Sequence, residues 1–247
     1  DGTNPQLARY DKNDTGWTKT LLSGEHQGNI FALESSRDGS RIFYNFNSAS
    51  VPPQIYAADV IAGEIRNLKR MTSLNEDLLK KPLGTSEVIE WTGARGDTVQ
   101  GILRFPPGYT PGTPYALVFV IHGGPTYTDF DSWRDTWEFP YHLITDRGAI
   151  TLSTNYHGSS NWGFEFAQSI EGGHIHDYPT EDFMKGIEYL SEQGIIDKNR
   201  VGVTGWSNGG ILTLYWITQD PSLKVAVAGA GYADENSQVS NTNGIVM

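Results

Sequence analysis

Val201-Gly202-Val203-Thr204-Gly205-Trp206-Ser207-Asn208-Gly209-Gly210-Ile211-Leu212-Thr213-Leu214-Tyr215-Trp216 reads as a short β-rich run, a glycine-rich turn and the opening of an apolar helix. The order strand, Gly-x-Ser-x-Gly, helix is the context in which a serine is held in a strained turn at the end of a sheet. Glycines on both sides are needed because side chains there would collide with the strand and the helix. Such a turn lifts the hydroxyl from the C-terminal edge of the sheet, beside a helix N-terminus whose dipole favours negative charge. An incidental serine in an ordinary glycine-rich turn is the competing reading. The context is met on both sides of the motif, so Ser207 is the candidate nucleophile.

Working upstream, His122-Gly123-Gly124-Pro125 directly follows the apolar run ending at Ile121. Small residues after a strand let backbone N–H groups approach a developing oxyanion. The expected donors are the N–H groups of Gly124 and of Asn208, the residue after the serine. His122 is expected to shape the loop rather than carry a proton. Alone this motif would be a tight turn; paired with the Ser207 turn it becomes specific.

The surrounding grammar is α/β. Residues 87–91 and 98–103 alternate about Gly93 to Asp97 and predict an antiparallel hairpin. Ala116–Ile121, Ala149–Ser153 and Arg200–Thr204 are largely apolar, which suits strands covered on both faces, and Lys224–Gly229 reads as a fourth strand after the helix that follows Ser207. Phe183, Ile187 and Leu190 recur at helical spacing and predict a helix over 180–193, with Thr180 as its N-cap. Alternating strands and helices behind a hairpin indicate a mainly parallel sheet. Residues 1–80 differ. Ile30–Leu33, Arg41–Phe46 and Gln54–Val60 are strand-like, and Ser36-Arg37-Asp38-Gly39 is a hairpin turn. Short, regularly spaced strands suggest a sandwich, barrel or propeller blade, and about 80 residues make a marginal all-β unit.

Composition excludes some classes. The net charge of −11 argues against nucleic acid, whose phosphates demand a basic surface. No run approaches the roughly 20 apolar residues of a membrane helix. Zero cysteines exclude disulfides, thiolate metal sites and cysteine nucleophiles, while leaving both cytoplasmic and exported locations open. The start, Asp1-Gly2-Thr3-Asn4, carries no basic or apolar leader, so either a leader has been removed or the chain begins inside a longer product.

A Ser-His-acid site of this type takes its acid and then its histidine after the serine. No histidine follows Ser207, and the carboxylates that follow it are Asp220, Asp234 and Glu235, which fall too soon to match the acid of the family these motifs resemble. The expectation is a partial chain, with on the order of 100 further residues carrying acid and base. Upstream, His174 and His176 in Gly172-Gly173-His174-Ile175-His176-Asp177 lack a third metal ligand and read as a polar loop. His26 and His142 have no supporting context.

These motifs resemble the prolyl oligopeptidase family of serine peptidases, especially its acylaminoacyl-peptidase and dipeptidyl-peptidase-like members. The resemblance rests on Ile121-His122-Gly123-Gly124-Pro125, Asn155-Tyr156-His157-Gly158-Ser159, Gly194-Ile195-Ile196-Asp197 and Gly205 to Gly210. Pro53-Gln54-Ile55-Tyr56, Leu74-Asn75 and the Gly101-Ile102-Leu103 hairpin extend it over nearly the whole chain. There are departures: Asn208 stands where Tyr is frequent, His157 where Arg is common, and Ser160-Asn161-Trp162-Gly163 replaces a Thr-Gly-Tyr-Gly flavour. The resemblance implies an incomplete α/β-hydrolase fold over 81–247, preceded over 1–80 by the end of a β-propeller that screens substrates by size. It implies a serine-type peptidase acting on short peptides through an acyl-enzyme on Ser207. A carboxylesterase acting on small esters, and a non-catalytic fragment lacking the triad Asp and His, are the alternatives. No cofactor or metal is expected, nor a nucleic-acid or membrane partner; a homo-oligomer is allowed.

Overall fold

The structure, a computed structural model, describes residues 2–234 together with residue 236. Its strands form three sheets. β1 (Ala8–Asn13) and β2 (Gly16–Leu21) make a hairpin of their own. β3 (Ser23–Gly24), β4 (Ile30–Ser35), β5 (Arg41–Ser48), β6 (Val51–Ile61) and β7 (Glu64–Arg70) make a five-stranded sheet ordered β3-β7-β6-β5-β4. The predicted runs are β4, β5 and β6, with β4 and β5 joined antiparallel across the Ser36–Gly39 turn. β7 escapes a period-two reading because its ladder with β6 is broken by an irregularity and Asn67 sits at φ 53°. That bulge turns Ile65 and Leu68, three apart, onto one core with Ile30, Ile42, Tyr44 and Ala58. His26 belongs to this core: its ring stacks on Phe46 at 3.7 Å and Nδ1 lies 2.9 Å from the Tyr44 hydroxyl.

After a short helix, α1 (Glu76–Leu79), comes a six-stranded sheet. It comprises β8 (Ser86–Thr92), β9 (Thr98–Arg104), β10 (Tyr115–Ile121), β11 (Ile150–Asn155), β12 (Ile196–Trp206) and β13 (Val225–Gly229), in the order β13-β12-β10-β11-β9-β8. β10 pairs parallel with β11 and β12, and β12 with β13; β8 and β9 form the antiparallel hairpin at the other edge. Four helices follow the strands: α2 (Tyr141–Thr145), α3 (Phe164–Gln168), α4 (Asp177–Glu192) and α5 (Asn208–Gln219). Leu117, Phe119 and Ile121 of β10 pack into the core that holds Phe183 and Leu190 of α4 and Leu212 and Trp216 of α5. The alternate residues Val118 and Val120 pack with Phe139, Tyr141 and Trp206. β10 is therefore apolar throughout because both faces are covered.

α4 begins earlier than its sequence predicts. Thr180 is not the N-cap; it lies in the first turn, where its hydroxyl donates to the carbonyl of His176, 2.7 Å away, and His176 precedes the helix. Pro179 explains the shift, because a first-turn proline forfeits no helical hydrogen bond. The chain runs from β10 to β11 on one side and then returns to β12 on the other. Such a reversal opens a crevice outside the carboxyl ends of the two central strands, where ligands of open α/β sheets bind. The His122 loop leaves β10 and Ser207 leaves β12 at that crevice.

The two larger sheets touch through the loop beyond Gly124. Asp131 accepts bonds from the Ala49 N–H at 2.8 Å and from Asn29 Nδ2 at 2.7 Å, and Asn47 Oδ1 accepts from the Trp133 N–H at 2.6 Å. Among the described residues, no helix is long and apolar enough to cross a membrane.

Candidate active site

Ser207 occupies the single position between the last residue of β12 and the first of α5, with φ 57° and ψ −121°. An L side chain rarely adopts that backbone, and holding one there costs about 1–3 kcal/mol. The turn is over-determined from three directions. The Ser207 N–H donates to the Gly229 carbonyl at 2.9 Å, and the Ser207 carbonyl accepts from Gly210 and Ile211 at 2.9 and 3.1 Å. A Cβ at Gly205 would run into the Gly209 carbonyl, and one at Gly209 into the Ile121 carbonyl. The glycines let β12, the start of α5 and the end of β10 approach closely enough to hold the serine. Ser207 itself remains exposed.

The His122 loop meets this turn. A Cβ on Gly123 would lie 3.0 Å from Ser207 Cβ and 3.6 Å from its Oγ, so no side chain intervenes between loop and hydroxyl. Gly124 has φ 129°, a conformation that favours glycine. Asn208 is the first residue of α5, and the first N–H groups of a helix have no intrahelical acceptor. Gly124 and Asn208 thus stand in the two segments that converge on Ser207.

A buried network fixes these segments. The Asn208 side-chain amide donates to the Tyr156 hydroxyl at 3.2 Å, and that hydroxyl donates to the His122 carbonyl at 2.9 Å. Tyr156 stacks on the His122 ring at 4.5 Å. His122 Nδ1 faces the Gly123 carbonyl at 2.7 Å, so it must carry the hydrogen; Nε2 then accepts from the Ser159 hydroxyl at 3.1 Å. Burial pushes the His122 pKa down, outweighing the nearby Asp129 charge, and burial pushes the Tyr156 phenol up. His122 is a neutral ring with both nitrogens engaged, the structural residue its sequence context suggests.

The other predicted candidates are dispersed. His174 pairs with Asp177 at 2.9 Å, and His176 stacks on Tyr215 at 5.0 Å. No group of three metal-ligating side chains occurs among the described residues. His142 stacks on Trp133 at 4.0 Å. Asp220 ends α5, at the opposite end from Ser207, and accepts from the Ser222 N–H. Asp234 accepts from the Asn236 N–H; Glu235 lies outside the described residues. Among those residues, no histidine is hydrogen-bonded to the Ser207 hydroxyl.

Sequence reasoning assigned no role to Tyr156, Ser159 or Asp182. Asp182 is fully buried in α4 and accepts from the Ala94 N–H and from both the N–H and Nδ1 of His157, each at 2.8 Å. The available signal was the place of Asn155 to Ser159, immediately after β11, the strand beside β10. A polar run at that point borders the His122 loop whatever its residues do.

Comparison with known proteins extends this picture. Residues 133–245 match the model of the prolyl oligopeptidase family. Dipeptidyl-peptidase 5 of Aspergillus oryzae is 31% identical over 168 residues, covering 66% of this chain and 22% of its own. Dipeptidyl peptidase 8 of Mus musculus is 32% identical over 149 residues, covering 58% of this chain and 16% of its own. The chain therefore spans less than a quarter of either relative. The crystal structure of Porphyromonas gingivalis dipeptidyl peptidase 4 matches with a TM-score of 0.72 at 20% identity, over 92% of this chain and 32% of that one. With the family match running through the Ser207 turn and the fold shared with that solved dipeptidyl peptidase, residues 133–245 are identified as prolyl oligopeptidase family sequence.

Proposed function

We propose that this chain carries the nucleophile half of a serine peptidase site. Ser207 Oγ attacks the carbonyl carbon of a peptide bond as its proton passes to a base. The N–H groups of Gly124 and Asn208 hold the resulting oxyanion, assisted by the N-terminus of α5. Collapse expels the amine, which takes up the proton, and leaves an acyl-enzyme on Ser207 that water hydrolyses. The base and its orienting acid come from sequence other than the residues described, because the histidines there are engaged elsewhere. The observation that carries the reading is the strained, exposed Ser207, held between glycines with Gly123 against its hydroxyl.

Short peptides are the proposed substrates, in keeping with the names of the relatives, and no cofactor takes part. Residues 1–80 are read as the end of a β-propeller and 81–247 as the first part of the α/β-hydrolase domain. The antiparallel succession of β4 to β7 and the change of sheet between Arg70 and Ser86 support that division. The test is hydrolysis of chromogenic dipeptide amides and short-acyl esters by the full-length protein. Amide hydrolysis that falls by about 10⁶-fold in Ser207→Ala is expected. Activity surviving that substitution overturns the reading, and turnover of esters alone makes the protein a carboxylesterase.

A further inference from the structure

His157 lies within the Tyr156–Ser159 segment, and its ring is wholly buried between two carboxylates. Nδ1 lies 2.8 Å from Asp182 Oδ2, and Nε2 lies 3.0 Å from Asp97 Oδ2 in the turn between β8 and β9. An ionised carboxylate only accepts hydrogen bonds. Both ring nitrogens must then donate, which only the imidazolium does. Phe166 of α3 covers one ring face at 4.5 Å, holding the ring in the line joining the two acids.

The charges around the ring agree. From α4 it meets Asp182 and the Tyr178 ring, 5.9 Å away; Tyr178 is covered in turn by His174, which is paired with Asp177. From the turn it meets Asp97, with Arg95 3.6 Å from that carboxylate, and from α3 Glu165 lies 3.5 Å from Arg95. Glu165 is exposed to solvent, and Arg95 contacts Asp97 but not the buried Asp182, so among the described residues Asp182 has no cation against it other than the imidazolium. Burial opposes protonation of His157, but the hydrogen bonds and charges of Asp182 and then Asp97 outweigh it and raise the pKa above its ordinary value.

The residues on either side of His157 hold the nucleophile's surroundings. Tyr156 binds the His122 carbonyl and the Asn208 side chain, and Ser159 binds His122 Nε2. We propose that His157 is a positioning residue: as a cation clamped between Asp97 and Asp182, it fixes the Tyr156–Ser159 segment and through it the Gly124 and Asn208 donors. The proposal rests on the reading of Ser207 as the nucleophile. Its consequence is that the site loses its alignment when His157 deprotonates, on the alkaline side of the ordinary histidine range and independently of the catalytic base.

The experiment compares full-length wild type with His157→Arg, which keeps a charge, and His157→Gln, which does not. The rate of Ser207 labelling by a fluorophosphonate is followed from pH 6 to pH 10. The ratio of the Arg variant to wild type cancels the titration of the base. It is expected to rise by about tenfold per pH unit once His157 loses its proton, with the Gln variant slow throughout. A flat ratio, or a Gln variant as fast as wild type, overturns the proposal. Imidazole ¹⁵N shifts of the wild type keep this separate from the peptidase reading. A cationic His157 at pH 7, with Tyr156, Ser159 and His122 signals moving at its midpoint, supports the clamp even where Ser207 is never labelled. A neutral His157 at pH 7, or neighbours that ignore its titration, overturns it.

Discussion

The backbone at Ser207 can be tested by removing its Cβ. Ser207→Ala and Ser207→Gly both delete the hydroxyl, which makes no capping bond to α5, so their difference isolates the side-chain carbon. At φ 57° and ψ −121° that carbon is associated with about 1–3 kcal/mol of strain. Glycine relieves it but has more freedom to lose on folding, which offsets about 0.5–1 kcal/mol. The Gly variant should therefore be the more stable by up to about 2.5 kcal/mol. At about 2–4 °C per kcal/mol for a chain of this size, the middle of that range is roughly 4 °C in Tm. Calorimetry or urea unfolding of the two variants gives the difference directly. A Gly variant less stable than Ala by about 0.5–1 kcal/mol, as at an unstrained position, would refute the idea that the fold holds Ser207 under strain.

Other consequences follow from the packing and the charges. Phe183 is fully buried between Phe119, Tyr156 and Trp216 at ring distances of 5.1–5.5 Å. Phe183→Ala should cost about 3–5 kcal/mol in urea unfolding, and a cost under about 1 would contradict that packing. His122 is buried neutral with a lowered pKa, so the unfolded chain binds its proton more readily. Stability should fall as pH drops below the unfolded value of about 6.5, and this acid loss should shrink in His122→Gln; an unchanged limb argues against a neutral buried ring. Val225 and Val227 of β13 are 58% and 60% exposed, on a strand that pairs only with β12 among the described residues. An apolar edge of this kind templates association, so the 247-residue chain should self-associate in sedimentation. Val227→Lys should reduce that, and a monomeric unsubstituted chain would contradict it.

The features legible in the sequence are those whose causes are local. Gly205 to Gly210 announces a tight strand-to-helix turn because small residues are needed within a few positions of the serine. The apolar runs of β10, β11 and β12 announce strands covered on both faces. The hydrogen bonds from Tyr156 to the His122 carbonyl and from Asn208 to Tyr156 could not be read in this way. They join residues brought together only when β10, β11 and β12 lie side by side. Asp182 looked like one more polar helix residue, since nothing near it in sequence reveals that its carboxylate is buried against Ala94 and His157. The early start of α4 was hidden by Pro179, which breaks a helix in the interior and is tolerated in its first turn. β7 was hidden by the bulge at Asn67, which replaces the alternation a flat strand would display.

The central claim is that Ser207 is a nucleophile. Its most direct test is covalent labelling of the folded, full-length protein with a fluorophosphonate, followed by tryptic mapping. Cleavage after Arg200 and Lys224 releases residues 201–224, which contain Ser207 and Ser222, and fragment ions separate the two. The account predicts one adduct, on Ser207, absent from Ser207→Ala. A folded protein that stays unlabelled, or that carries the adduct on another residue, would contradict it.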